Sequence, residues 1–273
     1  MRPRLAVSLG DARGIGPEIV ARALADERVR GACELLVVGP DGCGVGVHES
    51  VGDWHTGGSA ALAGQFAGRA IERAAHLAGV PVAMMLASER LRVVLATTHI
   101  PLAEVPRQLT REHIVEAARI TRSGLREWYG IPAPRIALCA LNPHAGDGGR
   151  FGSEDDTLLA PAASAAGIAG PFPADTVFVR ALRGEFDAVI APYHDVGMTA
   201  IKVASFGQAV NVTLGLPFPR TSPDHGTALD IAGQGKADPG SMIMATLECV
   251  RIANVIAQSS TSGRTVSREP STL

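Results

Sequence analysis

PYHDVGMTAIKVASFGQAVNVTLGLPFPRTSPDHGTALDIAGQGKADP, residues 192–239, decides the fold class of this chain. Two histidines (His194, His225), four aspartates (Asp195, Asp224, Asp230, Asp238) and Asn211 are interleaved there with glycines and with two apolar runs, 200–204 and 210–216. Polar, glycine-rich backbone needs hydrogen-bond partners and belongs at a surface or along a cleft. The two apolar runs read as buried strands. A polar loop, a buried strand and a second polar loop describe the floor and walls of a ligand cleft in an α/β fold.

Just upstream, 186–191 is an apolar strand that ends in P-Y-H-D and delivers His194. The arrangement recurs twice. Residues 80–86 and 91–97 are apolar runs split by A-S-E-R, a hairpin or two adjacent strands, and His99 follows the second. Residues 135–140 form another buried strand, and His144 follows it in L-N-P-H. Residues just past strand ends face the cleft of α/β sheets. A single histidine there is an ordinary packing or capping residue. Three of them, one per strand, are how a metal site is assembled from separate parts of a fold. Three neutral imidazoles suit Zn, Fe, Co, Ni or Mn and leave positions open for substrate oxygens. Asp147 and Asp195 are candidate orienters, because a ligating histidine donates its other ring N–H. Lys202, Asn211 and Arg220 adjoin the apolar runs, and a cation paired with a planar guanidinium suits a carboxylate or phosphate.

Toward the N-terminus, strand 5–9 runs into G-D-A-R-G-I-G-P, residues 10–17, and Pro17 suits the first turn of a helix. Strand, glycine turn and helix N-terminus can hold an anion or be an ordinary βα turn. Arg13 either meets an anionic ligand or points into solvent. A second strand at 34–38 leads into an irregular, glycine-rich connection over 39–58. Helices are expected over 60–78, 111–128, 156–166 and 245–256, a rigid loop over 171–176, and a disordered tail over 258–273.

Composition narrows the classes. The 273 residues carry a net charge of −2, with 46% hydrophobic and 19% charged residues, so neither a nucleic acid nor a membrane surface is an expected partner. No apolar run is expected to reach bilayer length, and no signal-peptide core follows the basic N-terminal residues. Cys33, Cys43, Cys139 and Cys249 lack metal-type spacing and read as free thiols of a cytoplasmic protein.

From 82 to 256 the chain resembles the 4-hydroxythreonine-4-phosphate dehydrogenase family of vitamin B6 biosynthesis. The matching text is MMLASERLRVVLATTHIPL, LNPHAGDGGRFGSED, PADT, APYHDVG and FGQAVNVTLGLPFPRTSPDHGTALDIAGQGKAD. The segment GDARGIGP is similar to that family's first glycine motif. It and DHGTALDIAGQGKAD also resemble the wider β-decarboxylating dehydrogenases, such as the isopropylmalate enzyme. The resemblance implies an α/β fold with two α/β/α lobes around a central cleft, isocitrate/isopropylmalate dehydrogenase-like, working as a homodimer with NAD. The expected lobes are 1–88 plus 218–258, and 89–217, with 259–273 as a tail.

The resemblance also assigns residues. The family's metal histidines fall on His99, His144 and His194, for a divalent ion, zinc foremost, with Mg, Mn, Co and Ni as alternatives. Its substrate contacts fall on Lys202, Asn211 and Arg220, with Lys202 and Asp195 as the catalytic candidates. Asp175 and the loop residues Asp224, His225, Gly226, Thr227, Asp230 and Gly233 are expected at the NAD. The chain also departs from the family. A T-G-P-x-K segment and a G-H-T segment, which help grip the substrate, have no counterpart before residue 82, and Ala12-Arg13 replaces a proline and a small residue. The expectation is therefore a shortened, divergent member: an NAD- and metal-dependent dehydrogenase of a 3-hydroxy acid with a changed anionic substrate, decarboxylating or not, and Arg13 as a substitute anion contact. The alternatives are the 4-hydroxythreonine-4-phosphate dehydrogenase itself and, from another class, a non-redox metal-dependent lyase or ligand-binding homologue.

Overall fold

In the computed structural model, residues 2–53, 81–205 and 208–262 are described. The helix expected over 60–78 lies outside them.

Alternation decides which residues face which way. Strands β4 (Ala83–Ala87), β5 (Arg92–Leu95), β6 (Ile136–Cys139) and β8 (Ala188–Ala191) are nearly continuous apolar runs. Met85, Val94, Ile136, Leu138, Ala188 and Ile190 turn to one face of their sheet, and Leu86, Val93, Leu95, Ala137, Cys139, Val189 and Ala191 to the other. Strands buried on both faces must be apolar at every position.

Among the described residues the sheet has seven strands in the order β10-β9-β4-β5-β8-β6-β7, where β7 is Ala169–Phe172, β9 is Val210–Leu214 and β10 is Thr221–Ser222. Strands β5, β8, β6 and β7 run parallel, while β4 is antiparallel to both β5 and β9. The expected hairpin is thus the β4–β5 pair. One face is covered by α4 (Arg111–Glu127), α5 (Ala160–Ala166) and α8 (Gly240–Ser262). The other is covered by α6 (Ala174–Leu182) and α7 (His194–Ser205). Helix α4 is preceded by a short turn of helix, α3 (Val105–Gln108), and starts where the Thr110 hydroxyl accepts a hydrogen bond from His113 N at 3.2 Å.

A second, three-stranded parallel sheet has the order β1-β2-β3, formed by Arg4–Ser8, Glu34–Asp41 and Glu49–Asp53. Helices α1 (Gly16–Ala25) and α2 (Glu27–Ala32) connect β1 to β2. Their buried Ala23, Val29 and Cys33 pack with Ile243 and Val250 of α8, so the two ends of the chain share one cluster.

Several expectations change. Residues 200–204 are the last turns of α7, not a strand; Ile201 is buried while Lys202 and Val203 are exposed, a helical and not an alternating pattern. Residues 171–176 end β7 and begin α6. The connection 39–58 contains β3, and β2 continues to Asp41. Helix α8 continues through 258–262, where a tail was expected; 263–273 lie outside the described residues. The segment Gly240–Ser259 is long and apolar enough to cross a bilayer, contrary to the expectation of no such run. Its Ile243, Ala245, Val250 and Ile252 are buried against the two sheets, while 28% of the apolar window as a whole is buried.

Candidate active site

The parallel strands β5, β8 and β6 are neighbours, so their C-terminal ends open on one edge. Three loops leave that edge and carry His99, His144 and His194. The loop after β5 is tied to the loop after β8. Thr97, buried, donates its hydroxyl to Pro192 O at 2.7 Å, and Ala96 N donates to Ala191 O at 2.9 Å. These bonds bring His99 and His194 together, with ring centroids 5.4 Å apart.

His194 opens α7, and its Nδ1 lies 2.6 Å from Asp195 Oδ1. That contact fixes the ring and leaves Nε2 for a ligand, the role expected of Asp195. Helix α7 lies against β5 and β8 because Gly197 has no side chain. A Cβ there would stand 2.9 Å from Ala191 Cβ, Leu95 Cδ2 and Val93 Cγ1.

The loop of His144 is shaped by acidic residues that the sequence reading passed over. Asp155, only 1% exposed, accepts hydrogen bonds from Leu141 N at 2.8 Å and Asn142 N at 3.0 Å. Glu154 accepts one from Asn142 Nδ2 at 2.9 Å. Their signal was the S-E-D closing a run of glycines, where carboxylates can satisfy loop amides. The loop then bends through left-handed backbone at His144, Ala145 and Asp147, with φ of 52°, 54° and 45°. His144 is exposed, 6.2 Å from the Phe151 ring, and the Asp147 carboxylate pairs with Arg150 at 3.3 Å, not with His144. Among the described residues no three His, Cys, Asp or Glu side chains gather closely enough to hold a metal. His99 and His194 therefore offer two neighbouring imidazoles, a donor type that suits a divalent ion, and His144 follows the adjacent strand β6 on the same sheet edge.

On the other flank, Lys202 Nζ donates to Asp224 O at 3.3 Å and so joins α7 to the loop 224–237. Asn211, on β9, has a buried Oδ1 with no hydrogen-bond partner among the described residues. A buried acceptor without a donor suits a ligand hydroxyl or amide. Arg220 is exposed and donates from Nη1 to the Thr213 hydroxyl at 2.9 Å. Asn211 and Thr213 are two residues apart on one strand, hence on one face.

The loop 224–237 packs on the first glycine motif. Ile15 N donates to Thr227 O at 3.1 Å, and Gly14 is needed because a Cβ there would come within 2.4 Å of the Thr227 side chain. Ile15, Ile19 and Ala237 are buried together, with Ala228 and Ile231 against them. Asp224 is held by Ser241, whose Oγ lies 3.2 Å from Asp224 Oδ1. His225, Gly226, Thr227, Asp230 and Gly233 are exposed along the loop, and Gly226 and Gly233 have no atom within 4 Å of a built Cβ. Open backbone of this kind lets a flat ligand approach. Asp175 is exposed in the first turn of α6.

Arg13 does not stand free. Its Nε and Nη2 meet Asp11 Oδ1 and Oδ2 at 3.1 and 2.6 Å, within the same turn. Hydrogen bonds from this guanidinium hold the Asp11 carboxyl below its usual range. The expected substitute anion contact is therefore already engaged by a carboxylate. Near the histidines, burial raises the Tyr193 phenol, and burial pushes the Cys139 thiol up to about 12, which keeps it protonated at neutral pH. All four cysteines are free, as expected.

Against known proteins, residues 59–249 match the family model described as pyridoxal phosphate biosynthetic protein PdxA. The chain belongs to the PdxA family. A relative from Xanthomonas campestris, named 4-hydroxythreonine-4-phosphate dehydrogenase, is 42% identical over 238 residues, covering 84% of this chain and 68% of the relative. The crystal structure of the protein of that name from Klebsiella pneumoniae superposes with a TM-score of 0.79 at 33% identity, covering 93% of this chain and 98% of that one. The fold extends further: isocitrate dehydrogenase from Methylococcus capsulatus matches with a TM-score of 0.50 at 16% identity, over 96% of this chain and 89% of that one. The family resemblance read from 82–256 is thus correct, and the mixed α/β sheet is shared with PdxA proteins and isocitrate dehydrogenase.

Proposed function

We propose that this chain oxidises the secondary alcohol of 4-hydroxythreonine 4-phosphate, with NAD as the hydride acceptor and a divalent metal ion at the histidines. The single observation that carries the reading is the meeting of His99 and His194 at the ends of adjacent parallel strands, with Asp195 fixing one ring. Relatives and a close structural neighbour bearing the dehydrogenase's name support it. A changed substrate is less well supported: it rests on the family segments without a counterpart before residue 82 and on Arg13, which is paired with Asp11. No observation favours the lyase or relic alternative.

Each residue has a task that its own chemistry allows. His99 and His194 would hold the ion, with His144 as the third candidate ligand on the same sheet edge. Once bound, the ion supplies a positive charge that lowers the pKa of a substrate hydroxyl. Asp195 holds His194 in the tautomer that presents Nε2. Asn211 Oδ1 accepts from a substrate hydroxyl or amine and thereby loses its unpaired state. Arg220 meets the anionic end of the substrate. Lys202, anchored to Asp224 O, stands between substrate and cofactor loop and is the candidate for moving a proton. The loop 224–233 and Asp175 receive the dinucleotide.

The proposal includes a homodimer, with lobes 1–88 plus 218–258 and 89–217. The separate three- and seven-stranded sheets support a division into two units. The deciding experiment offers zinc-loaded protein, NAD and 4-hydroxythreonine 4-phosphate and follows the absorbance of reduced nicotinamide. Turnover that disappears in His194→Ala is the expected result. A folded, zinc-bound protein that reduces no NAD with this substrate but does so with an unphosphorylated hydroxy acid would restore the changed-substrate reading.

A further inference from the structure

Glu18 and Arg22 lie one helical turn apart on α1, and both reach the backbone of the same residue on a distant loop. Glu18 Oε1 accepts from Ala237 N at 3.1 Å, and Arg22 Nη1 donates to Ala237 O. The two side chains also face each other, with Arg22 Nη1 3.8 Å from Glu18 Oε1. Ala237 itself is fully buried between Ile15 and Ile19. Both hydrogen-bonding groups of that residue are therefore taken by charged side chains of one helix, and charge-assisted bonds are the stronger kind. The other end of the loop is fastened to the same helix entry through Ile15 N and Thr227 O at 3.1 Å. Between the two fastenings, Gly233, Gln234, Gly235 and Lys236 are exposed.

We infer that Glu18 and Arg22 form a clamp on the backbone of Ala237 that positions the loop 227–237 to receive the dinucleotide. The inference rests on the proposal that this loop binds NAD. Neither residue touches the ligand; both are positioning residues. A loop pinned at both ends to a helix keeps its open glycines in place before the cofactor arrives, so less ordering remains to be done on binding. Without the carboxylate, Ala237 N is buried with no partner and the C-terminal fastening slackens.

The test uses the full-length, zinc-loaded protein with Glu18→Ala, Glu18→Gln and Arg22→Met. Two readings are taken: amide exchange of peptides within 224–239 against peptides of β6, and calorimetric titration with NAD. Glu18→Ala should quicken exchange in the loop alone and raise the Kd for NAD about tenfold. Glu18→Gln keeps an acceptor for Ala237 N and should restore both values, which a general loss of stability would not show. Unchanged exchange in Glu18→Ala overturns the clamp. Faster exchange with an unchanged Kd for NAD overturns its role toward the cofactor. If the wild type binds no NAD while loop exchange still quickens in Glu18→Ala, the clamp stands and the dehydrogenase reading falls.

Discussion

A methyl group at residue 197 has no room. Gly197→Ala must push α7 away from Val93, Leu95 and Ala191, atoms already 2.9 Å from where its Cβ would stand. Overpacking of this kind costs about 1–3 kcal/mol, which thermal unfolding would show as a drop of roughly 2–4 °C per kcal/mol. Because α7 carries His194, zinc affinity should fall in the same variant. Asp195→Asn probes the neighbouring contact without disturbing packing. It should weaken zinc binding about 10–100-fold in competition with a chelator, at nearly unchanged melting temperature. His194 and Asp195 were readable in the sequence because a histidine after an apolar run, followed by a carboxylate, is a local pattern. Thr97, Gly197 and Asp155 were not. Their importance lies in partners 95, 6 and 14 residues away, namely Pro192, Ala191 and Leu141.

Helices α4 and α8 are joined by a small polar network next to the apolar core. The Tyr129 hydroxyl donates to Glu248 Oε1 at 2.7 Å, and Arg251 donates to both Glu248 oxygens at 2.8 Å. The Arg92 and Arg251 guanidiniums lie 4.7 and 4.4 Å from the Tyr129 ring centre. Burial by itself would raise the Glu248 carboxyl, but the hydrogen bonds from Arg251 and Tyr129 outweigh it and the net shift is downward from 4.5. A carboxyl lowered by folding stabilises the protein above its unfolded pKa, and that stabilisation is lost as pH falls through the folded value. Glu248→Gln should therefore cost about 1–2 kcal/mol at pH 7 and flatten the loss of stability below pH ~4.5 in denaturant titrations. Thr110→Ala, which removes the cap of α4, should cost about 1 kcal/mol by the same measurement. Among elements, the paired strands and α4 were legible because period and length agreed. Residues 200–204 were misread because A-I-K-V-A fits a short strand as well as the last turns of a helix, and only the packing of Ile201 beneath β5 and β8 separates the two.

At the scale of the molecule, two sheets and a shared helix set what the motifs can do together. The glycine turn at 10–17 and the loop at 224–237 are more than 200 residues apart in sequence, yet Ile15 and Thr227 are hydrogen-bonded. Sequence reading named both motifs as related to dehydrogenases, but their contact follows only from the return of the chain to its first helices. Titration of the zinc-loaded protein with NAD should give saturable binding that is lost in Gly226→Trp, where a bulky side chain fills open space on the loop. A chelator should abolish NAD reduction while leaving the seven-stranded sheet, and hence the far-ultraviolet dichroism, intact.

The cluster of Ala23, Val29 and Cys33 with Ile243 and Val250 has a further consequence, one of timing. A ribosome makes the first sheet early and the helix that covers it last. At about 5–20 residues per second the wait is roughly 10–40 s. Through that interval the apolar side of α1 and α2 stays uncovered, exposed to chaperones and to neighbouring nascent chains. Slow codons between those for residues 33 and 243 would lengthen the exposure, and a chain released before residue 243 would carry a permanently open face to the cell's proteases.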